Sequence, residues 1–346
     1  MTYTVPSVPA AGLRLHFNEN TGGCSPAVLA ALRSIAPTDT AFYPDYAPVT
    51  SAAERYFGVT AGWVQLTNGL DEGLHVVAQA AARRHGRANA AAIIVDPAFE
   101  MYAACADAAG LREIHIAPDA DFTFPLQQIL EAATPDVRLI NLTDPNNPTG
   151  LAIPSGSIEQ LAAARPDTLL LVDEAYAEFS GRTLIGPLLE RHRNVIVGRT
   201  FAKAHGLAAL RVGALIAHPD ALAPLRRLLP PYSLNICGVR ALEAAMNDRA
   251  FLDAYVAQAD ASKQLLYEFC DARRLRYWPS QANFVLLRLG PDAGLVTAAL
   301  AARGIYIRDK SSAPGCEGCV RITAGVVEHT RACLAALEDI IASRTH

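Results

Sequence analysis

Between Gly58 and Cys237 the chain alternates short apolar runs with longer stretches of helical periodicity. Val64–Thr67, Ala92–Asp96, Glu113–Ala117, Arg138–Leu142, Leu169–Asp173, Val195–Val197 and Ala214–Ala217 read as strands. Several, Leu169-Leu-Leu-Val-Asp173 above all, run apolar without the alternation of a half-buried strand. Such continuity marks strands covered on both faces, as in a parallel sheet. The segments between them, among them Asp71–Arg84, Phe99–Ala109 and Ser157–Ala164, are rich in alanine and other helix formers. The pattern predicts an α/β fold with a mostly parallel, seven-stranded sheet between helices.

After Val239 the rhythm changes. Helical periodicity extends to Arg274, with Asn247-Asp248 as a break. A strand over Asn283–Leu289, a helix over Leu295–Arg303, strands over Ile305–Arg308 and Val320–Thr323, and a last helix from Glu328 follow. This predicts a smaller α+β domain over 239–346 beside a large α/β domain over 26–238. The proline-bearing start, 1–25, reads as an extended arm.

Composition narrows the function classes. A chain of 346 residues is long for one core and favours two lobes, and 51% apolar residues can fill them. The net charge of −4, with basic residues scattered, excludes a nucleic-acid binder. No apolar run approaches the roughly 20 residues of a membrane helix. The start Met1-Thr-Tyr-Thr-Val-Pro6 lacks the charged and apolar regions of a secretory signal, which points to the cytoplasm. The seven cysteines are an odd number in apolar surroundings and read as reduced thiols. Cys316 and Cys319 form a C-x-x-C, but a zinc site needs a second pair, and His329 stands alone; a loop is expected there and no metal.

Candidate chemistry lies at the ends of the predicted strands, where open α/β sheets bind ligands. Lys203 follows the run ending in Arg199-Thr200, and Arg211 comes eight positions later. A lysine there suits Schiff-base chemistry on a phosphorylated aldehyde: Thr200 and Arg211 can hold the phosphate, and the nearby positive charge lowers the lysine pKa. Asp173 ends its strand, where it can either pair with a protonated ring nitrogen or cap the next turn. Tyr176 can donate to a phenolic oxygen on the same ring. Asp144-Pro-Asn-Asn-Pro-Thr-Gly150 is a rigid turn that can aim the Asn147 amide at a ligand, or an ordinary turn. Thr67-Asn-Gly-Leu-Asp-Glu-Gly73 opens a helix whose free N–H groups can bind phosphate, with Asp71 and Glu72 also matching the helix dipole. Arg321, in an apolar strand, needs a partner: a substrate carboxylate or an internal acid. Arg308 is a second candidate anion binder, with Asp309 as its alternative partner.

Read together, these stretches resemble the fold-type I pyridoxal-phosphate aminotransferases of class I/II, and within them the histidinol-phosphate aminotransferase branch. The resemblance rests on Phe17-Asn-Glu-Asn20, Tyr43-Pro-Asp45, Asn68-Gly-Leu-Asp-Glu-Gly73, Asp96-Pro-Ala-Phe-Glu-Met-Tyr102, Asp144–Gly150, Val172-Asp-Glu-Ala-Tyr176, Arg199-Thr-Phe-Ala-Lys203, Gly206–Gly213 and Val320-Arg-Ile-Thr323. It implies that Lys203 carries the Schiff base and shuttles the proton, and that Asp173 pairs with the pyridinium nitrogen. Asn147 and Tyr176 would bond the ring hydroxyl, and Phe99 would stack on the ring. The amides of Leu70 and Asp71, with Thr200 and Arg211, would hold the cofactor phosphate. Arg321, Arg308, Asn147 and Asn20 would meet the substrate. Tyr43 would reach the neighbouring subunit's cofactor, which implies a homodimer with shared active sites. The implied reaction is ping-pong amino transfer from L-histidinol phosphate to 2-oxoglutarate; an aromatic amino acid donor and a threonine-phosphate decarboxylase are the alternatives.

The chain departs from this pattern in three places: Ala202 stands where serine is usual, Phe99 where tyrosine is common, and Thr21-Gly-Gly-Cys24 replaces a proline- and aromatic-containing turn. The first removes a hydroxyl from the phosphate cup, where a hydrogen bond to a charged group is worth ~1.5–3 kcal/mol. The last falls in a segment that lies near the substrate in the family the chain resembles.

Overall fold

The computed structural model describes residues 8–83 and 89–343. The expected helix end at Arg84 and the start Met1–Pro6 lie outside the described residues. Seven strands form one sheet in the order Val64–Asn68, Val212–Ile216, Val195–Thr200, Leu169–Asp173, Val137–Thr143, Ala91–Val95 and Arg112–Ile116. All pairings are parallel except the two that Val212–Ile216 makes with its neighbours. Alternate side chains feed two cores: Ile93, Leu170, Val172 and Val197 enter one layer, and Ile94, Leu169, Leu171 and Ile196 the other. A strand with both faces covered needs apolar residues at both parities, hence the unbroken runs.

Helices Pro26–Arg33 and Ala47–Phe57 complete one layer. The hydrophobic pattern predicts no helix or strand between Pro26 and Val64, although Ser25-Pro26 is a start signal: the Ser25 hydroxyl accepts the Val28 N–H and Pro26 opens the helix.

The C-terminal part holds an antiparallel sheet ordered Arg308–Asp309, Cys319–Thr323, Phe284–Arg288 and Tyr277–Trp278. The strand expected over Ile305–Arg308 is broken in two. Ile305–Tyr306 pairs with Leu13–Arg14, while Arg308–Asp309 pairs with Cys319–Thr323. Between them the buried Ile307 packs into the core of this lobe. Helix Ile236–Asn247 packs Val239, Ala241 and Leu242 into the core of the seven-stranded sheet. Asp248 then caps helix Arg249–Arg273. We therefore propose the break between lobes at Asp248 rather than at 238/239, and place the arm from Leu13 to Leu15 with the smaller lobe, where Leu15 is fully buried.

Candidate active site

A cavity of about 260 Å³ opens where strands Val137–Thr143, Leu169–Asp173 and Val195–Thr200 end. It lies between the sheet, the arm segment His16–Glu19 and the Arg308–Arg321 edge of the smaller sheet. Eleven of the residues singled out above line it: Lys203, Asp173, Tyr176, Leu70, Asp71, Phe99, Asn147, Thr200, Arg211, Arg308 and Arg321.

Lys203 Nζ donates to the Phe17 carbonyl at 2.9 Å. Its pKa falls to about 8, through burial first and the Arg321 charge second. The sequence reading credited the nearby arginine, Arg211. In the fold Arg211 instead donates to Asp71 Oδ2 at 2.8 Å. Burial disfavours the charged ammonium and supplies the free amine that a nucleophile needs.

Asp173 is buried, with Oδ1 accepting the Ala175 N–H at 2.9 Å and Oδ2 accepting the Tyr102 hydroxyl at 2.8 Å. The turn-capping alternative is thus observed, and the same carboxylate lines the cavity. Burial raises this carboxyl to about 6, with the Tyr102 hydrogen bond opposing the rise. A buried carboxylate of that kind gains by facing a cationic ring nitrogen. Tyr176 Oη accepts the Asn18 amide at 3.0 Å, and burial lifts its phenol to about 12, so it stays protonated.

Helix Gly69–Arg83 begins at the cavity, and its first-turn N–H groups have no intrahelical partner. Gly69 has φ 74°, and a Cβ there would strike the Arg211 guanidinium. A Cβ on Gly213 would strike the Leu70 backbone. Two main-chain segments approach closely here and leave a polar cup of N–H groups, Thr200 and Arg211. An amine, a phosphate cup and a buried carboxylate in one cavity fit pyridoxal 5′-phosphate, the group the resemblance implies.

Arg321 donates to Asn147 Oδ1 and, at 2.6 Å, to the His16 carbonyl. Among the described residues it forms no ion pair, and its buried Nε lacks a partner. The internal-acid alternative therefore fails. Arg308 lies 4.0 Å from Glu100, not on Asp309, whose carboxylate accepts the Ser311 N–H.

Two expected residues are elsewhere. Asn20 lies outside the cavity, with its Nδ2 donating to the Ala204 carbonyl at 2.9 Å and its Oδ1 accepting the Gly22 N–H at 2.9 Å. One end of the amide holds its own turn and the other ties it to the Ala204 main chain, so both are engaged within the protein. Tyr43 also lies outside, 77% exposed and stacked on Tyr232 at 4.2 Å.

The cavity also contains residues the sequence reading gave no role: His16, Asn18, Glu100, Tyr102 and Lys310. Tyr102 is three positions beyond Phe99, across the turn that precedes helix Met101–Ala109: its N–H donates to the Phe99 carbonyl at 3.1 Å and the two rings meet edge to face at 5.9 Å. Lys310 is two beyond Arg308, on one face of a strand. Ala202 also lines the cavity, with no hydroxyl to add to Thr200. Cys316 and Cys319 are buried free thiols away from it.

The family model for aminotransferases of class I and II matches residues 11–337. A histidinol-phosphate aminotransferase from Ralstonia nicotianae is 35% identical over 95% of this chain and 89% of its own. The structure of the histidinol-phosphate aminotransferase from Sinorhizobium meliloti, in complex with pyridoxal-5′-phosphate, superposes with a TM-score of 0.85 at 26% identity, covering 98% of this chain and 96% of that one. The L-threonine-O-3-phosphate decarboxylase from Porphyromonas gingivalis has a TM-score of 0.80 over 95% of this chain and 99% of its own; at 22% identity it speaks to the fold alone. A lysine, an aspartate and a phosphate cup gathered at the strand ends agree with what these relationships establish: the chain is a fold-type I enzyme of the class I and II aminotransferase family.

Proposed function

We propose that this enzyme transfers the amino group of L-histidinol phosphate to 2-oxoglutarate in two half-reactions, a step of histidine biosynthesis, using pyridoxal 5′-phosphate. The observation that carries the reading is the pairing, in one cavity, of a buried amine of low proton affinity with a wall whose cations Arg308, Lys310 and Arg321 outnumber the one carboxylate, Glu100, paired with them. The 35% identical relative, named for this activity, supports the donor.

When bound, the cofactor supplies an electron-poor ring that takes up the electrons of the bond broken at the donor's Cα. Lys203 would hold it through Nζ and would move the proton from that Cα. Asp173 holds a negative charge beside the ring nitrogen. Asn147 spends its carbonyl on Arg321, which leaves its NH₂ to donate, with the Tyr176 hydroxyl, to the ring oxygen. Phe99 packs on the ring face. The Leu70 and Asp71 N–H groups, Thr200 and Arg211 hold the phosphate. Arg321 and Arg308 receive the anionic end of each substrate, with the bidentate fork of Arg321 suited to carboxylate and phosphate.

The enzyme acts in this reading as a cytoplasmic homodimer with shared sites. Exposed Tyr43 and Phe42 support that, since each chain has an aromatic pair to offer a neighbour. No helix among the described residues is long and apolar enough to cross a membrane.

The deciding assay loads the purified protein with pyridoxal phosphate and offers L-histidinol phosphate, L-phenylalanine and L-threonine phosphate in turn. Glutamate formed from 2-oxoglutarate with histidinol phosphate is expected. Glutamate from phenylalanine alone would make it an aromatic enzyme, and carbon dioxide from threonine phosphate a decarboxylase.

A further inference from the structure

Arg308 and Arg321 face each other across an antiparallel strand pair, so their side chains share one face. The ladder continues one step further, with the Lys310 N–H donating to the Cys319 carbonyl at 3.0 Å. Two residues beyond Arg308, Lys310 returns to the same face, while Asp309 between them turns away to hold the Ser311 N–H. All three cations line the cavity. The Lys310 side chain is only 7% exposed, and its Nζ lies 3.0 Å from Glu100 Oε1.

Among the described residues, Glu100 is the one carboxylate paired with any of this trio, 4.0 Å from Arg308 and 3.0 Å from Lys310. Glu19 is bound to Arg14, and Asp71 to Arg211. Three positive charges against one negative leave a surplus of two on the substrate wall. A monocarboxylate cancels half of it; a phosphomonoester, carrying about −1.5 to −2 at neutral pH, matches it.

We propose that Lys310 is a specificity-determining residue that contacts the phosphate of a phosphomonoester donor, with Glu100 as its resting counter-ion in the empty cavity. This rests on the transamination reading above and adds to it a residue and a reason for preferring a dianion. Neither long side chain is wasted without substrate, since a buried ammonium needs a partner. When the dianion enters, Lys310 is shared with it or released to it by Glu100.

The test compares cofactor-loaded wild-type and Lys310→Met enzymes with L-histidinol phosphate and with L-phenylalanine as donors. Inorganic phosphate is also titrated calorimetrically into both holoenzymes, whose cofactor cup is already filled. The histidinol-phosphate KM and the inorganic-phosphate Kd should rise about 10- to 100-fold, and any phenylalanine KM should stay within about twofold. Lys310→Arg should restore most of the loss, and Glu100→Gln should tighten phosphate binding. A rise of equal size for both donors means that the Glu100–Lys310 pair only clasps the two lobes, and overturns the inference. So does wild-type holoenzyme that binds inorganic phosphate no more tightly than Lys310→Met. If no donor is turned over, the transamination reading falls, while the phosphate titration still decides the role of Lys310.

Discussion

The hydroxyl of Tyr102 donates to Asp173 Oδ2 at 2.8 Å and shares a second hydrogen bond, of 2.7 Å, with Thr143 Oγ1. All three groups are buried at the ends of adjacent strands and the start of helix Met101–Ala109. The carboxylate proposed to face the cofactor ring therefore does not stand alone: a fixed donor holds its orientation and favours its charged form. Burial alone pushes the carboxyl the other way.

Tyr102→Phe should remove that donor with little change in volume. A hydrogen bond to a charged group is worth ~1.5–3 kcal/mol, so pyridoxal phosphate should bind roughly 10- to 100-fold more weakly. Fluorescence titration of the cofactor measures this, and its absorbance against pH should shift as Asp173 takes up a proton more readily. Unaltered affinity and an unaltered spectrum would leave Tyr102 a packing residue.

Asp173→Asn separates stability from function. The native carboxyl, at about 6, lies above its ordinary 3.8, so the folded protein binds more protons than the unfolded chain between those values. The stability contribution is present below pH 3.8 and is lost as the pH rises to about 6, at a cost of roughly 3 kcal/mol. Asparagine can still accept the Ala175 N–H and donate to Tyr102, whose hydroxyl then donates to Thr143. Cofactor-free Asp173→Asn should thus gain in melting temperature over wild type as the pH rises from 4 to 7 (roughly the window of the shift), yet lose turnover. A constant difference across that range contradicts the assignment.

Lys203→Ala should abolish turnover, while circular dichroism and size remain those of wild type. In the cofactor-free wild type, a lysine pKa of about 8 leaves about one amine in ten uncharged at pH 7. Covalent capture of pyridoxal phosphate, trapped with borohydride, should therefore accelerate as the pH rises toward 8 and level above it. Arg321→Gln should move that inflection upward, because the Arg321 charge helps to lower the lysine. An inflection that does not move would show that burial acts alone.

Arg321→Lys should raise the donor KM more than it lowers kcat. One ammonium cannot replace a fork that holds Asn147, the His16 carbonyl and an incoming anion together. An unchanged KM would place the donor's anion elsewhere, on Arg308 or Lys310.

Most strands were legible because burial on both faces requires apolar residues in succession, and Leu169–Asp173 appears with its predicted bounds. The break at Asn247-Asp248 was legible as well, since Asp248 caps the second helix through its own side chain. Strand Ile305–Arg308 was not, because a local pattern cannot say that the chain changes partner strands at Ile307. Nor could it tell Asn18, whose amide NH₂ donates to Tyr176, from Asn20, whose amide oxygen accepts the Gly22 N–H and whose NH₂ donates to the Ala204 carbonyl. Both sit in one motif, and only the packing around them separates their tasks.

By itself the sequence determined which residues stand at strand ends, since hydrophobic run length and turn residues act locally: Lys203, Asp173 and Asn147 are legible that way, and Arg321 as a guanidinium inside an apolar strand. Only the tertiary structure decided which charges meet. It drew Arg211 to Asp71, gave Asp173 its Tyr102 donor, and set Lys310 against Glu100 across 210 positions of chain. Proton affinity and charge surplus depend on distance and burial in space, and neither quantity is written in the order of residues along the chain.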